Sequence, residues 1–393
     1  MRNSHRQSLK TKQEFKLNSF RNKFISKFTN KIHRFCQKIS QHTSKNILKK
    51  KSTNTLIEIV IITVSLSVIL TVLLIPFNFV HSADLDIQAQ PEINRPFANP
   101  KLIRTFGGHA GTIKSLSFTP DSKMLVSGGG DNDGVIRIWE PMKGDMMGII
   151  RKAHKAAVES IIISPDNKTL VSCSSDNTIN LWNLKNYKFD RTFVGHGSNL
   201  LALALSPDGK MLASGGLDGI RLWDLLQRRP LGTLIRYDNV IYSLAITPDG
   251  QTLASGDNKG VIKLWDLNSG RLIRAFVAHK NIVTSLRFTP DGQTLLTASR
   301  DKAVKVWNLN TQKLVNTLIG HNNWVNAIAI NPNGTILATG GRDGLKIWDL
   351  QTGELINSVY GHSDWVSAVA FSPDGKILAT GGFDKKVKIW LNY

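Results

Sequence analysis

Residues 362–390 read HSDWVSAVAFSPDGKILATGGFDKKVKIW. The stretch divides into an apolar run Val366–Phe371, a turn at Pro373–Gly375, a second run Ile377–Thr380, a turn Gly381–Lys385 and a third run Val387–Trp390. Period-two runs of four to six residues, split by Pro-Asp-Gly and Gly-Asp turns, predict hairpin-linked strands and show no helical period. Moving upstream, the same pattern recurs. A tryptophan closes each unit at Trp139, Trp182, Trp223, Trp265, Trp307, Trp348 and Trp390, at spacings of 43, 41, 42, 42, 41 and 42 residues. A histidine opens six units, at His109, His154, His196, His279, His321 and His362, and Tyr237 takes the fourth slot. A repeat of about 40–45 residues with landmarks in step predicts a propeller whose blades are four-stranded antiparallel sheets.

The last unit ends soon after Trp390, one strand short. Lys101–Phe106 (KLIRTF) matches Arg271–Phe276 (RLIRAF), an outer strand of an internal unit. This predicts that the N-terminal strand completes the seventh blade and leaves no open edge to pair with other chains.

Trp-Asp stands at Trp223-Asp224, Trp265-Asp266 and Trp348-Asp349, and Gly-His at Gly108-His109, Gly195-His196, Gly320-His321 and Gly361-His362. With these motifs the region from about residue 101 onward resembles the WD-repeat (β-transducin-like) family. Its turn style, with Pro-Asp-Gly-Lys/Gln in many units, resembles bacterial members. The resemblance implies an all-β, seven-bladed β-propeller with a structural tetrad in each blade. Those sets are His154, Ser172, Asp176 and Trp182; His196, Ser214, Asp218 and Trp223; and His279, Thr297, Asp301 and Trp307. His321, Thr339, Asp343 and Trp348, then His362, Thr380, Asp384 and Trp390, follow. Blade one offers His109, Ser127 and Trp139, but a two-residue insertion leaves Asp131 and Asp133 as rival acids. Blade four departs: Tyr237 and Lys259 stand where His and Asp are expected, beside Ser255 and Trp265.

A His near an Asp and a Ser invites a catalytic-triad reading. Every histidine after residue 81 is one of the six repeated ones, so no spare base of that kind remains. Cys173 has no Cys-His metal spacing, and Gly128-Gly129-Gly130 precede no helix. The expectation is no enzyme, no metal and no cofactor. The central channel could serve a ligand-sensing or enzymatic propeller, yet the sequence singles out no polar set for that role beyond the tetrads.

Upstream, Ile59–Val80 is uncharged and rich in Ile, Val and Leu, long enough to span a bilayer. Residues 1–55 hold 15 Lys and Arg against the single acid Glu14, a net of +14 out of the chain's +21. The expected organisation is therefore a basic cytoplasmic leader (1–55), a transmembrane helix (56–80), an extended linker (81–100) and the propeller (101–393). The positive-inside rule places the propeller on the extracytoplasmic side. The alternative is a signal peptide cut after Ser82, which would release a periplasmic or secreted propeller. In the leader, Phe20, Phe24, Phe28, Ile32, Phe35 and Ile39 share a helical face bordered by lysines, a pattern suited to an anionic membrane surface.

Function is expected to be protein binding by a membrane-tethered scaffold. Residues 101–393 still carry a net +10, but nucleic acid is not expected on the extracytoplasmic side. In the family the His-bearing loop and the Asp-bearing turn emerge on one face. There Trp324 and Trp365 occupy slots that other units fill with Thr112, Ala157, Asn199, Val240 or Ile282. Arg300, Arg342 and Phe383 directly precede the tetrad acids of units five to seven. These five residues are the candidate partner-binding patch, because aromatic and Arg side chains dominate interface energetics. The competing expectation is that the tryptophans only pack against loops of their own blades.

Overall fold

The structure, a computed structural model, describes residues 97–131, 133–235 and 239–392. Within these residues, twenty-eight strands form seven antiparallel four-stranded sheets. The inner strands are Ile113–Phe118, Val158–Ile163, Leu200–Leu205, Ile241–Ile246, Val283–Phe288, Val325–Ile330 and Val366–Phe371. Each touches the next in sequence, and the last touches the first, so the ring closes around a channel.

Closure follows the sequence expectation. Lys101–Phe106 pairs antiparallel with Val387–Leu391 and becomes the outer strand of blade seven. Packed structure reaches back further, to Phe97, which is 1% exposed and meets the Phe371 ring edge-on at 5.2 Å. Its N–H donates to Asn392 Oδ1 at 2.5 Å, and the Ala98 carbonyl accepts from Asn357 Nδ2 at 2.6 Å. The proposed leader, transmembrane segment and the linker up to residue 96 lie outside the described residues. No helix among the described residues is long and apolar enough to cross a membrane.

Seven apolar clusters hold the ring, one at each interface between neighbouring blades. The repeated tryptophans are the wedges. Phe106 at the end of blade seven's outer strand stacks on Trp139 of blade one at 4.8 Å, and Phe193 of blade two on Trp223 of blade three at 5.1 Å. At Gly195, Gly320 and Gly361 the Gly of the Gly-His pair makes room for this wedge, whereas Gly108 abuts Arg137. A Cβ on Gly195 or Gly320 would sit 2.9 or 2.7 Å from the ring of Trp223 or Trp348.

Each inner strand also carries a bulge at its second residue, as at Ile113/Ser115, Val283/Ser285 and Val366/Ala368. Bulges re-aim a side chain, here toward the seams around the channel. Thr284 Oγ1 donates to the Val325 carbonyl at 2.6 Å, Asn326 Nδ2 to Val366 at 3.0 Å, and Ser367 Oγ to Ile113 at 2.6 Å. The last of these bonds crosses the closing seam.

Candidate functional site

The tetrads form as hydrogen-bonded chains. In blade three, Trp223 Nε1–H donates to Ser214 Oγ at 2.8 Å, that oxygen lies 2.7 Å from His196 Nε2, and His196 Nδ1 lies 2.5 Å from Asp218. The same order holds through Ser172, Thr297, Thr339 and Thr380, with Trp–hydroxyl distances of 2.9–3.1 Å. The corresponding His–Asp contacts are His154–Asp176, His279–Asp301, His321–Asp343 and His362–Asp384. Blade one's rivalry is settled by geometry: His109 pairs with Asp133, while Asp131 accepts the Thr112 N–H at 3.2 Å.

Burial sets the protonation of these chains. It pushes the His109, His196, His321 and His362 imidazoles below their ordinary value against the pull of their aspartates. A neutral ring can donate from Nδ1 to the acid and accept the hydroxyl proton at Nε2, which satisfies every member. Asp301 is correspondingly low, at about 2: burial would raise it, but the bonds from His279 and from backbone N–H groups prevail. The hydroxyls of Ser127, Ser172, Ser214, Thr297, Thr339 and Thr380 belong to fully buried residues and already serve the indoles, so no substrate can reach them as nucleophiles.

Among the described residues, blade four shows the Trp–hydroxyl half of this arrangement. Trp265 Nε1 donates to Ser255 Oγ at 3.0 Å, and that hydroxyl turns to the Lys263 carbonyl at 3.4 Å. Tyr237 lies outside the described residues. Buried Asp257, two residues before Lys259, organises the turn by accepting from the N–H groups of Lys259 and Val261 at 2.9 Å and from Asn239 Nδ2 at 2.8 Å. Sequence reasoning missed this acid because it stands outside the tetrad slot.

All five patch residues come together. Arg300 of blade five lies over the Trp324 ring of blade six at 4.6 Å, and Arg342 of blade six over Trp365 of blade seven at 4.6 Å. Trp324 meets Trp365 edge-on at 5.7 Å, and Trp365 meets Phe383 at 5.1 Å. Backbone bonds fix the slots. The residue before each tetrad acid donates to the carbonyl of the slot that precedes the inner strand: Arg300 to Ile282, Arg342 to Trp324 and Phe383 to Trp365, at 2.8–3.2 Å. The tryptophans thus pack across blade boundaries, and Arg342 remains exposed while both indoles are half-buried. Val277, Ile319 and Tyr360, each two residues before a tetrad histidine of blades five to seven, are 74–82% exposed, as is Val194 at the same offset before His196 of blade three. Sequence reasoning missed these rim residues, although their shared offset from the histidines could have revealed them.

The channel holds about 510 Å³ and is lined by all seven inner strands. Two groups in it were not singled out from the sequence: an inter-blade pair, Lys114–Glu159, at 3.9 Å, and Arg287. Among the described residues no cluster of three or more His, Cys, Asp or Glu is placed to hold a metal ion. Cys173 is buried, which pushes its thiol far above the ordinary range and away from thiolate chemistry.

Comparison with known proteins agrees with this architecture. The family described as "IFT122 first beta-propeller" matches residues 132–344, more than half of the chain, and "WD domain, G-beta repeat" matches residues 100–140 and 353–390. Similar proteins include the WD repeat-containing protein srw1 of Schizosaccharomyces pombe, 26% identical over 30% of this chain and 21% of its own length. FIZZY-RELATED 3 of Arabidopsis thaliana is 28% identical over 28% of this chain and 23% of its own. The anaphase-promoting complex subunit cdh1 of Dictyostelium discoideum is 27% identical over 30% of this chain and 16% of its own. The matched region therefore spans under a quarter of each relative. All three are eukaryotic and lend no support to the bacterial source suggested by the turn style.

Proposed function

Because the chain belongs to the WD-repeat β-propeller family, we propose that it is a non-catalytic platform that holds a protein partner on the face of blades five to seven. The observation that carries this reading is the Arg300–Trp324–Trp365–Phe383 ladder with Arg342 on its outer side. Half-buried indoles capped by arginines present broad apolar area at little entropic cost, and Val277, Ile319 and Tyr360, two residues before the histidines of the same three blades, add exposed apolar side chains. Neither arginine is paired with a carboxylate among the described residues, so the partner surface that fits is apolar with acidic groups. The relative named as an anaphase-promoting complex subunit fits a propeller that works by holding other proteins. The apolar run 59–80 and its basic flank support a tether in residues 56–80, with the propeller extracytoplasmic.

The test changes Trp324, Trp365 and Arg342 to Ala together in the full chain and compares proximity labelling with the parent. Loss of a defined labelled partner at unchanged melting temperature supports the platform. An unchanged labelling pattern overturns it. Carbonate washing tests the tether separately: full-length protein stays in the membrane pellet, whereas a mature N-terminus at Ala83 would establish cleavage instead.

A further inference from the structure

We infer that the central channel is an oxyanion site in which Arg287 recognises a small molecule bearing a carboxylate or a phosphate. The inference is independent of the face ladder. Arg287 stands three residues past the bulge of its inner strand, about 10 Å deeper into the ring at ordinary strand rise. The equivalent slots of the other blades hold Ser117, Ile162, Ala204, Ala245, Ala329 and Ala370, so Arg287 is the one charged residue at this level of the inner strands.

Its only polar partner among the described residues is the carbonyl of Leu286, which accepts from Nη1 at 2.8 Å. The residue lines the channel and is exposed there. The charged pair that lines the channel, Lys114 and Glu159, is internally matched. Turn carboxylates at the other mouth are engaged locally: Asp291 accepts from Thr289 Oγ1 at 2.5 Å and from the Gln293 N–H at 3.0 Å. Arg287 is exposed within the ring, and the protein around the channel lowers its guanidinium from the ordinary value with no neighbouring charge acting on it. A channel-lining cation without a counter-charge favours an entering anion, and a planar fork matches two oxygens of a carboxylate or phosphate. The 510 Å³ volume is that of a small-molecule site, and Tyr242, Asn326 and Ser367 give it a polar wall.

The test uses the full-length chain in detergent, with inorganic phosphate and citrate as probes in isothermal titration. Saturable binding of either probe, weakened at least tenfold in Arg287→Gln and partly retained in Arg287→Lys, supports the site. Phosphate alone would mark a phosphorylated ligand and citrate alone a carboxylate. Absence of saturable binding for both, or equal binding by Arg287→Gln, overturns it. A readout without variants runs in parallel: phenylglyoxal modification of Arg287, followed by mass spectrometry. The binding probe should slow it several-fold while leaving Arg342 unaffected; equal rates with and without probe would refute the site even where the variants fail to fold.

Discussion

Blades three and four are neighbours with the same strand plan, and they differ in what stands behind the tryptophan. Blade three runs an unbroken chain from Trp223 through Ser214 and His196 to Asp218, whose carboxylate also meets Arg221 at 3.2 Å. Among the described residues blade four's chain runs from Trp265 to Ser255, and a different acid, Asp257, holds its turn. Both nevertheless close four strands, and both tryptophans sit in an inter-blade apolar cluster. The difference separates two jobs. The wedge and its single hydroxyl partner hold the blade, whereas the His–Asp arm ties down the loops of one face.

The largest expected effect follows from what the two blades share. Trp223→Ala and Trp265→Ala should each cost about 3–5 kcal/mol, because each empties a wedge and leaves a cavity that rigid sheets cannot collapse. Denaturant unfolding of the two variants should give equal losses to within about 1 kcal/mol. A Trp265 variant costing far less than its counterpart would show that the missing histidine had already loosened blade four, and the separation of jobs would fail.

A smaller effect isolates the arm. His196→Ala leaves Asp218, 1% exposed, with only Arg221 and the Gly197 N–H, and leaves the Ser214 hydroxyl only the long bond to the Arg221 carbonyl at 3.5 Å. Unmade bonds of this kind cost about 1–3 kcal/mol. Hydrogen exchange should quicken at Gly197–Asn199 and Leu217–Asp218 while the Met211–Gly216 strand stays protected. Loss of protection in that strand as well would mean the arm supports the blade itself.

How far the sequence disclosed this molecule depends on repetition. The tetrads and the closing strand were legible because several copies had to agree, and the five patch residues because they broke a rule the other blades keep. Asp133 could not be chosen over Asp131, since a two-residue insertion removes the register that spacing relies on. Asp257 was hidden because it does another residue's work from two positions away. Phe97 precedes the first repeat, so no sister unit advertised its burial. Arg287 was concealed differently: alternation in a strand does not tell which side chain enters a channel until the ring has closed.

The smallest effect per site is on acid stability, and it too divides the blades. His109, His196, His321 and His362 are held below 6.5 in the folded chain by burial, while the unfolded chain titrates at its ordinary value. Between the folded pKa and 6.5 the unfolded state therefore binds more protons, and stability falls as pH falls through that window. From pH 7 to 6 each such histidine contributes at most about 0.7 kcal/mol of loss. A second decline follows below the ordinary carboxylate range, near 3.8, as depressed acids such as Asp218 and Asp343 begin to lose their charge. Blade four has no histidine in this set. His196→Ala should thus flatten the pH 7-to-6 slope by one site's share, whereas Ser255→Ala should lower stability at both pH values equally. The measurement is urea unfolding of parent and both variants at pH 7 and pH 6. A slope untouched by His196→Ala would show that its imidazole titrates alike in both states, and the assignment of a neutral, proton-accepting ring would be lost.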